Sequence, residues 1–417
     1  MTPQRRVVVI GTGHAGFGVA SSLIQLGKAR VVLIGEEPGL PYQRPPLSKG
    51  ILAGSTTREQ IAFRPGPFYE HECLELVSGD PAVGIDRVNT TVLLASGAEV
   101  PYDALVLATG ARARSLPVPG CDLDGVMLLR SADDARALAE RLPDVASLVV
   151  IGGGFIGLEV AAVARHRGVA VTVVEVLPRL MSRAVSTEIA GFYADAHRRW
   201  GTRLLLEDGV EAFEGETGAV SGVRTAAGRR LAADLVLVGV GVTPDCTLAQ
   251  ECGLAVDDGV LVDERLTTTD ERIFAIGDCA RFVSPWGTAS TLRLESVQNA
   301  TDQAASLARR LSGLGVGPYC DVPWFWSDQG DLKLQIAGIT SGADQVVLRG
   351  DPQTRSFTAL CFRGDRFLGG ESVNAMADHL SIRRMLGAGP HAASPSAAEF
   401  ADPAFDLRTH AITGGAT

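Results

Sequence analysis

Two segments of the chain show the same succession of apolar and polar positions. They run from Val7 to Glu37 and from Leu148 to Glu175. In each, a β-branched apolar run leads into Gly-x-Gly-x-x-Gly, apolar residues at helical spacing follow, and a second apolar run ends on an acidic residue. The pattern predicts strand, glycine turn, helix and strand, which is the βαβ unit that binds dinucleotides.

The glycine spacing has a physical reason in each unit. The first glycine makes the tight turn, the second lets the backbone approach a pyrophosphate, and the third lets the helix pack on the strand. The phosphates then meet free N–H groups at the helix N-terminus. The motif glycines are Gly11, Gly13 and Gly16 in the first unit and Gly152, Gly154 and Gly157 in the second. Glu175, at the tip of its strand, is expected to accept hydrogen bonds from ribose hydroxyls and to repel a 2′-phosphate, which favours NAD over NADP.

Each unit is followed by the same companion segment. Short alternating strands and a turn lead into a returning strand, which ends in Ala108-Thr109-Gly110 in the first copy and Gly239-Val240-Gly241 in the second. Asp103 and Asp234 each stand seven residues before the last glycine of their copy. The repeat predicts two Rossmann-like domains, each with its own β-meander. Two such domains imply two dinucleotides, most simply FAD in the N-terminal domain and NAD in the second.

Two further segments are candidate flavin contacts. Leu40–Gly50 is a proline-stiffened stretch in which Leu47–Leu52 could start a helix, and its Arg44 and Lys49 are expected near a phosphate or the flavin ring. The alternative is a stiff surface loop. Asp278 follows an apolar run at the predicted carboxyl end of a parallel strand, where ligands bind in α/β folds. It is predicted to bind the ribityl hydroxyls, and the alternative is an ordinary turn aspartate.

Downstream of these segments the pattern changes. Leu294–Leu311 has helical periodicity, and the N–H groups at its start could face the pyrimidine edge of a flavin. From Pro318 onward aromatics concentrate and alternating strands follow, with a closing helix at Ala377–Leu386. The tail after Gly387 is expected to be loose apart from Phe405–Leu407.

The predicted fold class is α/β, with two Rossmann-like dinucleotide-binding domains, each with a β-meander, and a C-terminal α+β domain with an antiparallel sheet. A chain of 417 residues accommodates such a set of domains. The predicted domains are a discontinuous FAD-binding domain at 1–113 and 246–316, an NADH-binding domain at 114–245, and a C-terminal domain at 317–417.

Composition narrows the range of partners. The net charge of −10 disfavours binding to nucleic acid or to an anionic membrane. No apolar run reaches membrane-spanning length, and Met1–Arg6 leads into a strand without a signal-peptide core. The seven cysteines show no CxxC pair and no metal-ligand spacing. These features predict a cytoplasmic protein that binds no metal.

The motifs GTGHAG, YQRPPLSK, LATG, VIGGGFIGLEVA, AIGDCA, ESVQNA and PWFWSDQ occur in this order over about residues 7–386. On these motifs the chain resembles the FAD-dependent, NADH-using ferredoxin reductases of oxygenase systems, which share the glutathione reductase-type fold. The resemblance implies hydride transfer from NADH to FAD and one-electron transfer to a 2Fe–2S ferredoxin that serves a cytochrome monooxygenase or a ring-hydroxylating dioxygenase.

The resemblance also assigns site residues. Lys49 and Glu159 are implied as catalytic, forming an ion pair that positions nicotinamide beside the flavin. Residues implied to contact FAD are Gly13, Ala15, Gly16, Glu36, Arg44, Pro45, Lys49, Ala82, Ala108, Thr109, Gly110, Arg130, Gly277, Asp278, Glu295, Ser296, Val297 and Trp326. Residues implied to contact NAD are Gly152, Gly154, Ile156, Gly157, Glu159, Glu175, Arg183 and Gly241. For Trp326 the alternative is an ordinary core aromatic.

Residues that the chain lacks narrow the range of possible electron acceptors. Glutathione reductase-like enzymes carry a redox-active Cys-x4-Cys early in the chain, whereas Arg44–Gly50 contains no cysteine. No His-Pro acid–base motif is present. Electrons are therefore expected to leave through a protein acceptor that docks on a basic patch. The candidates for this patch are Arg293, Arg309, Arg310, Lys333, Arg383 and Arg384, and the alternative for each is an ordinary solvated helix residue. Three alternatives remain: another acceptor such as rubredoxin or an ascorbyl radical, a flavin redox sensor like apoptosis-inducing factor, and a flavin oxidase.

Overall fold

The computed structural model describes residues 5–286, 291–315, 317–390, 392–402 and 404–409. These divide into two compact units, one of residues 1–44, 58–112 and 243–321, the other of residues 45–57, 113–242 and 322–417. The three predicted domains remain a prediction, and parts of their ends (1–4, 316 and 410–417) lie outside the described residues. No helix in the described ranges is long and apolar enough to cross a bilayer.

The first unit is built on a parallel sheet. Its strands, in spatial order, are Ile273–Ala275, Ala104–Leu107, Arg5–Ile10, Ala29–Gly35 and Leu74–Ser78. Two smaller sheets contain Ala82–Asp86, Thr91–Leu94 and Glu99–Pro101, and Val260–Val262, Ala280–Val283 and Thr291–Leu292. Its helices include His14–Leu26, Thr247–Glu251 and Val297–Leu311, with 3₁₀ turns at Gly66–Glu70 and Gly277–Cys279. The strands read as nearly continuous Val, Leu and Ile because both sheet faces are buried.

The second unit contains a similar parallel sheet and a separate antiparallel one. The parallel strands, in spatial order, are Arg203–Leu206, Ala170–Glu175, Ser147–Ile151, Leu235–Val238 and Val126–Met127. The meander strands are Val210–Glu216, Ala219–Thr225 and Arg230–Ala232. The antiparallel sheet has the order Trp324–Gln329, Leu332–Gly338, Arg366–Val373, Ser356–Arg363 and Gln345–Asp351. Helices include Ala132–Arg141, Phe155–His166, Thr187–Arg199, Met376–Leu386 and Ala397–Ala401, with 3₁₀ turns at Pro45–Ser48, Leu142–Asp144 and Pro352–Thr354. Short strands at Ala111–Ala113 and Val242–Pro244 lie at two of the five places where the chain passes from one unit to the other.

The two copies of the internal repeat have an equivalent hydrogen bond made by an aspartate. In the first unit Oδ2 of Asp103 accepts the N–H of Arg6 at 2.7 Å. In the second, Oδ2 of Asp234 accepts the N–H of Ser147 at 2.8 Å. Both aspartates therefore tie the start of a returning strand to the start of the first βαβ strand. The predicted α/β class, with its two Rossmann-like halves and its C-terminal antiparallel sheet, is confirmed.

Three local predictions need correction. Leu47–Leu52 starts no α-helix: the described segment forms a 3₁₀ turn at Pro45–Ser48, after which the N–H of Ile51 reaches back five residues to O of Pro46 at 3.0 Å, and no regular helical ladder follows. The helix expected from Leu294 begins at Val297, since Ser296 is extended and its side chain caps the N–H of Asn299. The tail is not loose throughout, because Ala397–Ala401 is helical.

Candidate functional site

The first glycine turn leaves an open cradle at the start of helix His14–Leu26. A Cβ at Gly11 would lie 2.1 Å from O of Ala108, and one at Gly16 would lie 1.8 Å from O of Gly11. A Cβ at Gly13 would meet only Nε of Arg44, at 4.0 Å. Two positions thus require glycine for the turn itself, while the third keeps backbone N–H groups open beside a guanidinium. This donor set fits the pyrophosphate of FAD.

The strand that precedes Asp278 ends next to this cradle. A Cβ at Gly277 would lie 2.9 Å from Cβ of Ala15, and the N–H of Gly277 donates to Oε1 of Gln303 at 2.7 Å. Helix Val297–Leu311, which carries Gln303, therefore holds the Asp278 turn against the start of the first helix. Gln303 was missed from the sequence, because its position on the helix gives no sign of its partner.

The acidic residues after the second strand have different partners. Glu36 is exposed and lies 3.4 Å from a guanidinium nitrogen of Arg112. Oε2 of Glu37 accepts the hydroxyl of Tyr42 at 2.6 Å, and its Oε1 accepts from Arg44 at 2.9 Å. Glu37 therefore orients the arginine that stands beside Gly13, a role that the sequence analysis did not assign. The exposed carboxylate of Glu36 remains the one suited to a ribose.

The other residues assigned to FAD are divided between the units. Ala82, Ala108, Thr109, Gly110, Glu295, Ser296 and Val297 lie in the first unit, and Pro45, Lys49, Arg130 and Trp326 lie in the second. In the first unit, the Thr109 hydroxyl donates to O of Asp245 at 2.6 Å, and Glu295 pairs with Arg293 at 2.6 Å. Their contacts with FAD remain a prediction.

The second glycine turn repeats the geometry of the first. A Cβ at Gly152 would lie 2.4 Å from O of Gly239, and one at Gly157 would lie 2.6 Å from O of Gly152. A Cβ at Gly154 would meet no further atom of the described chain within 4 Å. Gly154 is the N-terminal cap of helix Phe155–His166, so its open side faces the helix N-terminus. This turn fits the phosphates of NAD.

Glu175 is fixed at the end of its strand by backbone donors. Its Oε2 accepts the N–H of Gly153 at 2.6 Å, and its Oε1 accepts the N–H of Leu177 at 2.8 Å. Each oxygen retains a further lone pair for a ribose hydroxyl. Arg183 is exposed, and the N–H of Arg114 donates to O of Gly241 at 3.0 Å. Ile156 is also exposed, at 42%, in the first turn of the helix.

Glu159 is the most enclosed charged group among the residues assigned to cofactors. It lies on helix Phe155–His166, is 5% exposed, and its Oε2 is 2.7 Å from Nζ of Lys49. The Ser48 hydroxyl donates to the same oxygen at 2.5 Å, and the Ser327 hydroxyl donates to Oε1 at 2.7 Å. A buried carboxylate needs such partners to offset its lost hydration. The ion pair that the resemblance implied is thus present within the second unit, while its role in catalysis remains a prediction.

Strand Trp324–Gln329 presents different side chains on its two faces. Ser327 and Gln329 are buried, and the alternate positions hold Trp324 and Trp326, whose ring centroids are 5.5 Å apart. Phe325 packs on Phe155 at 4.5 Å, which joins this strand to the helix of Glu159. Sequence reasoning used only the tryptophans. The period-two alternation of the strand was the signal that could have singled out Ser327 and Gln329.

The two glycine cradles, and the ion pair between Lys49 and the buried Glu159, fit a protein that binds two dinucleotides. Residues 5–304 match the model of the pyridine nucleotide-disulphide oxidoreductase family, and residues 324–411 match the reductase C-terminal family. The chain belongs to the pyridine nucleotide-disulphide oxidoreductase family. FAD and NAD(H) are the cofactors of this family, and the cofactor prediction is confirmed.

Individual relatives narrow the class further. Rhodocoxin reductase of Rhodococcus erythropolis is 48% identical over 403 residues, covering 96% of this chain and 93% of the relative. A solved ferredoxin reductase for the CYP199A2 system from Rhodopseudomonas palustris is 47% identical, with a TM-score of 0.94 over 98% of this chain and 100% of that one. A rubredoxin-NAD(+) reductase of Ectopseudomonas oleovorans is 37% identical over 370 residues, covering 88% and 95%. The predicted resemblance is confirmed.

Proposed function

We propose that the protein is an NADH-dependent ferredoxin reductase. It takes hydride from NADH with FAD and delivers electrons one at a time to a 2Fe–2S ferredoxin, which serves a cytochrome monooxygenase or a ring-hydroxylating dioxygenase. The observation that carries this proposal is the pair of open glycine cradles combined with an early segment, Arg44–Gly50, that contains none of the cysteines that disulphide reductases need there. Relatives named for rhodocoxin and for a ferredoxin of a CYP system support the choice of acceptor.

The thiols of this chain support an acceptor outside it. All seven cysteines lie in the described part of the chain, and each is a thiol rather than half of a disulfide. Burial raises the pKa of the Cys279 thiol and raises that of Cys246 to about 11, so neither offers a thiolate near neutral pH. Reduced thiols also fit a reducing cytoplasmic compartment.

The chain's own residues bind and orient the cofactors. The Gly13 and Gly154 cradles hold the phosphates, Glu175 holds the NAD ribose, and Asp278 and Glu36 serve FAD. The bound flavin supplies hydride acceptance and one-electron release, which no side chain of this chain can supply. Lys49 and Glu159 hold the nicotinamide in a reactive position. Because they are paired and enclosed, their geometry is set before substrate arrives.

Acceptor choice is tested by a panel of redox proteins. The NADH-reduced enzyme is mixed anaerobically, in a stopped-flow instrument, with a 2Fe–2S ferredoxin, a rubredoxin and monodehydroascorbate. We expect the ferredoxin to be reduced at least about 10-fold faster than the others, which is a difference of about 1.4 kcal/mol in barrier height. Faster reduction of rubredoxin would replace the proposed acceptor by the second candidate, which the rubredoxin reductase relative favours. Rapid peroxide formation with O₂ alone would indicate a flavin oxidase instead.

A further inference from the structure

A line of buried polar side chains continues from Glu159 into the core of the second unit. Oε1 of Glu159 accepts the hydroxyl of Ser327 at 2.7 Å, and that hydroxyl accepts Nε2–H of Gln329 at 3.3 Å. Oε1 of Gln329 lies 3.0 Å from Nε2 of His197. The residues come from helix Phe155–His166, strand Trp324–Gln329 and helix Thr187–Arg199. Of these residues, only Glu159 was assigned a function in the sequence analysis.

The chemistry of the groups fixes the direction of every hydrogen bond in this line. A carboxylate only accepts, so Ser327 donates to it and must accept from the amide nitrogen of Gln329. The amide oxygen then faces His197, which must donate from Nε2. Nδ1 of His197 has no hydrogen-bond partner in the described chain. Burial lowers the pKa of His197, in agreement with a neutral ring protonated only at Nε2.

The line is shielded from solvent. Ser327, Gln329 and His197 are each 0% exposed, so water does not compete for these hydrogen bonds. The ring of His197 meets that of Trp200 edge-on, with centroids 5.0 Å apart. The hydrogen bonds from Glu159 to Gln329 therefore hold one geometry, because each alternative arrangement leaves a further buried polar group unpaired.

Gln329 also reaches the NAD-side glycine turn. Its Nε2 lies 3.7 Å from Sδ of Met181, and the N–H of Met181 donates to O of Gly153 at 2.9 Å. Met181 has a left-handed backbone, with φ of 50°, which is uncommon outside glycine. One amide group thus connects the residue that braces the dinucleotide turn with the hydroxyl that holds Glu159.

We infer that Ser327, Gln329 and His197 are positioning residues for the Glu159 carboxylate. Ser327 bonds to Oε1, Gln329 holds Ser327, and His197 holds Gln329. As a result, Oε2 stays directed at Ser48 and Lys49. Through Met181, Gln329 additionally fixes the position of this carboxylate relative to the NAD-side glycine turn. The inference rests on the proposed role of Glu159 in orienting nicotinamide, and it adds the residues by which the fold enforces that orientation.

The first test is a double-mutant cycle in the FAD-loaded protein. Hydride transfer from NADH is measured by stopped flow in the wild type, S327A, E159Q and S327A/E159Q. We expect S327A to slow hydride transfer about 10-fold, because it removes a hydrogen bond to a charged group. In the E159Q background the same substitution should change the rate of hydride transfer by less than about 2-fold. KM for NADH should change less than the rate of hydride transfer, because Ser327 is 0% exposed and offers no surface to a nucleotide.

A matched control separates positioning from packing. Ser372, on strand Arg366–Val373 of the same sheet, is also 0% exposed, and its hydroxyl bonds to Thr358 at 3.1 Å. S372A removes an equally buried hydroxyl away from Glu159 and should leave hydride transfer unchanged. Equal slowing by S327A and S372A would overturn the inference, as would additive effects of S327A and E159Q. A normal rate in E159Q would instead overturn the proposed role of Glu159.

A second variant and a spectroscopic readout cover the case in which S327A fails to fold. In Q329E the side chain keeps its shape but loses the N–H donors to Ser327 and Met181. Imidazole ¹⁵N NMR of the wild type should show His197 neutral and protonated at Nε2. In Q329E the new carboxylate should move His197 towards the doubly protonated form, while hydride transfer slows with FAD content unchanged. An Nδ1-protonated wild-type ring, or an unchanged hydride rate in Q329E, would contradict the inference.

Discussion

The ammonium of Lys49 lies 2.7 Å from Oε2 of Glu159, and the two ends of this ion pair differ in exposure. The lysine side chain is 24% exposed and the glutamate side chain is 6% exposed. Removing the lysine and removing the glutamate should therefore lower the stability of the protein by different amounts. A lysine without its partner can turn to water, whereas the glutamate would remain an enclosed charge.

The first prediction is that K49M destabilises the protein more than E159Q does. K49M should lower the free energy of unfolding by about 2–3 kcal/mol, because the carboxylate stays buried with only hydroxyl donors. E159Q should cost about 1 kcal/mol, since an amide can still bond with Ser48 and Ser327. Thermal unfolding of the FAD-loaded variants measures the order. A larger loss in E159Q would show that Glu159 is not the buried partner.

The glycine turns give a prediction that separates folding from nucleotide binding. G154A adds a Cβ into open space, so it should leave the melting temperature unchanged. It should nevertheless raise KM for NADH about 10- to 100-fold, because the methyl group displaces a phosphate from charge-assisted N–H donors.

The matched variant is G157A in the same turn. Its Cβ would lie 2.6 Å from the backbone oxygen of Gly152, so the turn itself must shift. We expect a loss of about 1–3 kcal/mol in stability. If G154A destabilised the protein as much as G157A, the open side of the second turn would not be the phosphate cradle.

The repeated aspartates predict unequal stability losses. Oδ2 of Asp234 accepts three hydrogen bonds, from the N–H of Ala146 at 3.0 Å and from the N–H and hydroxyl of Ser147 at 2.8 and 2.9 Å. Oδ2 of Asp103 accepts the N–H of Arg6. D234A should therefore cost about 1–2 kcal/mol and D103A about 0.5–1 kcal/mol. Chemical denaturation followed separately by flavin and tryptophan fluorescence checks the order, and a larger loss in D103A would contradict it.

These aspartates show what a sequence can predict. Their spacing from the final glycine of each copy identified the internal repeat, because local order along the chain fixes strand, turn and return. The glycine cradles followed from the same local rules. The observed element bounds differ from the predicted ones where a side chain caps the helix, as at Ser296, and where a 3₁₀ turn forms instead of an α-helix, as at Pro45–Ser48.

The network behind Glu159 could not be predicted in the same way. Ser327 stands 168 positions from Glu159, and His197 stands 132 positions from Gln329. Which side chains meet at such separations is decided by the packing of helix Phe155–His166 on strand Trp324–Gln329, not by local pattern. A serine, a glutamine and a histidine carry no periodic signal that names their partners. The resemblance supplied Lys49 and Glu159 but not the residues behind them.

His379 predicts an acid-sensitive contribution to stability. It is 1% exposed, neither ring nitrogen has a hydrogen-bond partner in the described chain, and burial together with Arg383 lowers its pKa to about 4. In the unfolded chain the ring takes up a proton near pH 6.5, whereas in the folded protein it stays neutral until about pH 4. Its contribution is therefore complete above pH 6.5 and is lost as the pH falls towards 4.

H379F removes this titration while keeping an aromatic ring. Between pH 6.5 and 4, the wild type should lose about 2–3 kcal/mol more stability than H379F. Urea denaturation at several pH values measures the difference between the two proteins. Parallel pH profiles would mean that His379 takes up its proton equally in both states.

The central claim is that electrons enter this protein from NADH through the flavin and leave it for a one-electron protein acceptor. The most direct test is an anaerobic titration of the FAD-loaded protein with NADH, followed by addition of oxidised 2Fe–2S ferredoxin. We expect stoichiometric NADH to bleach the flavin absorbance and two equivalents of ferredoxin to restore it. A flavin that NADH does not bleach, or one that bleaches and is not restored by ferredoxin, would contradict the account.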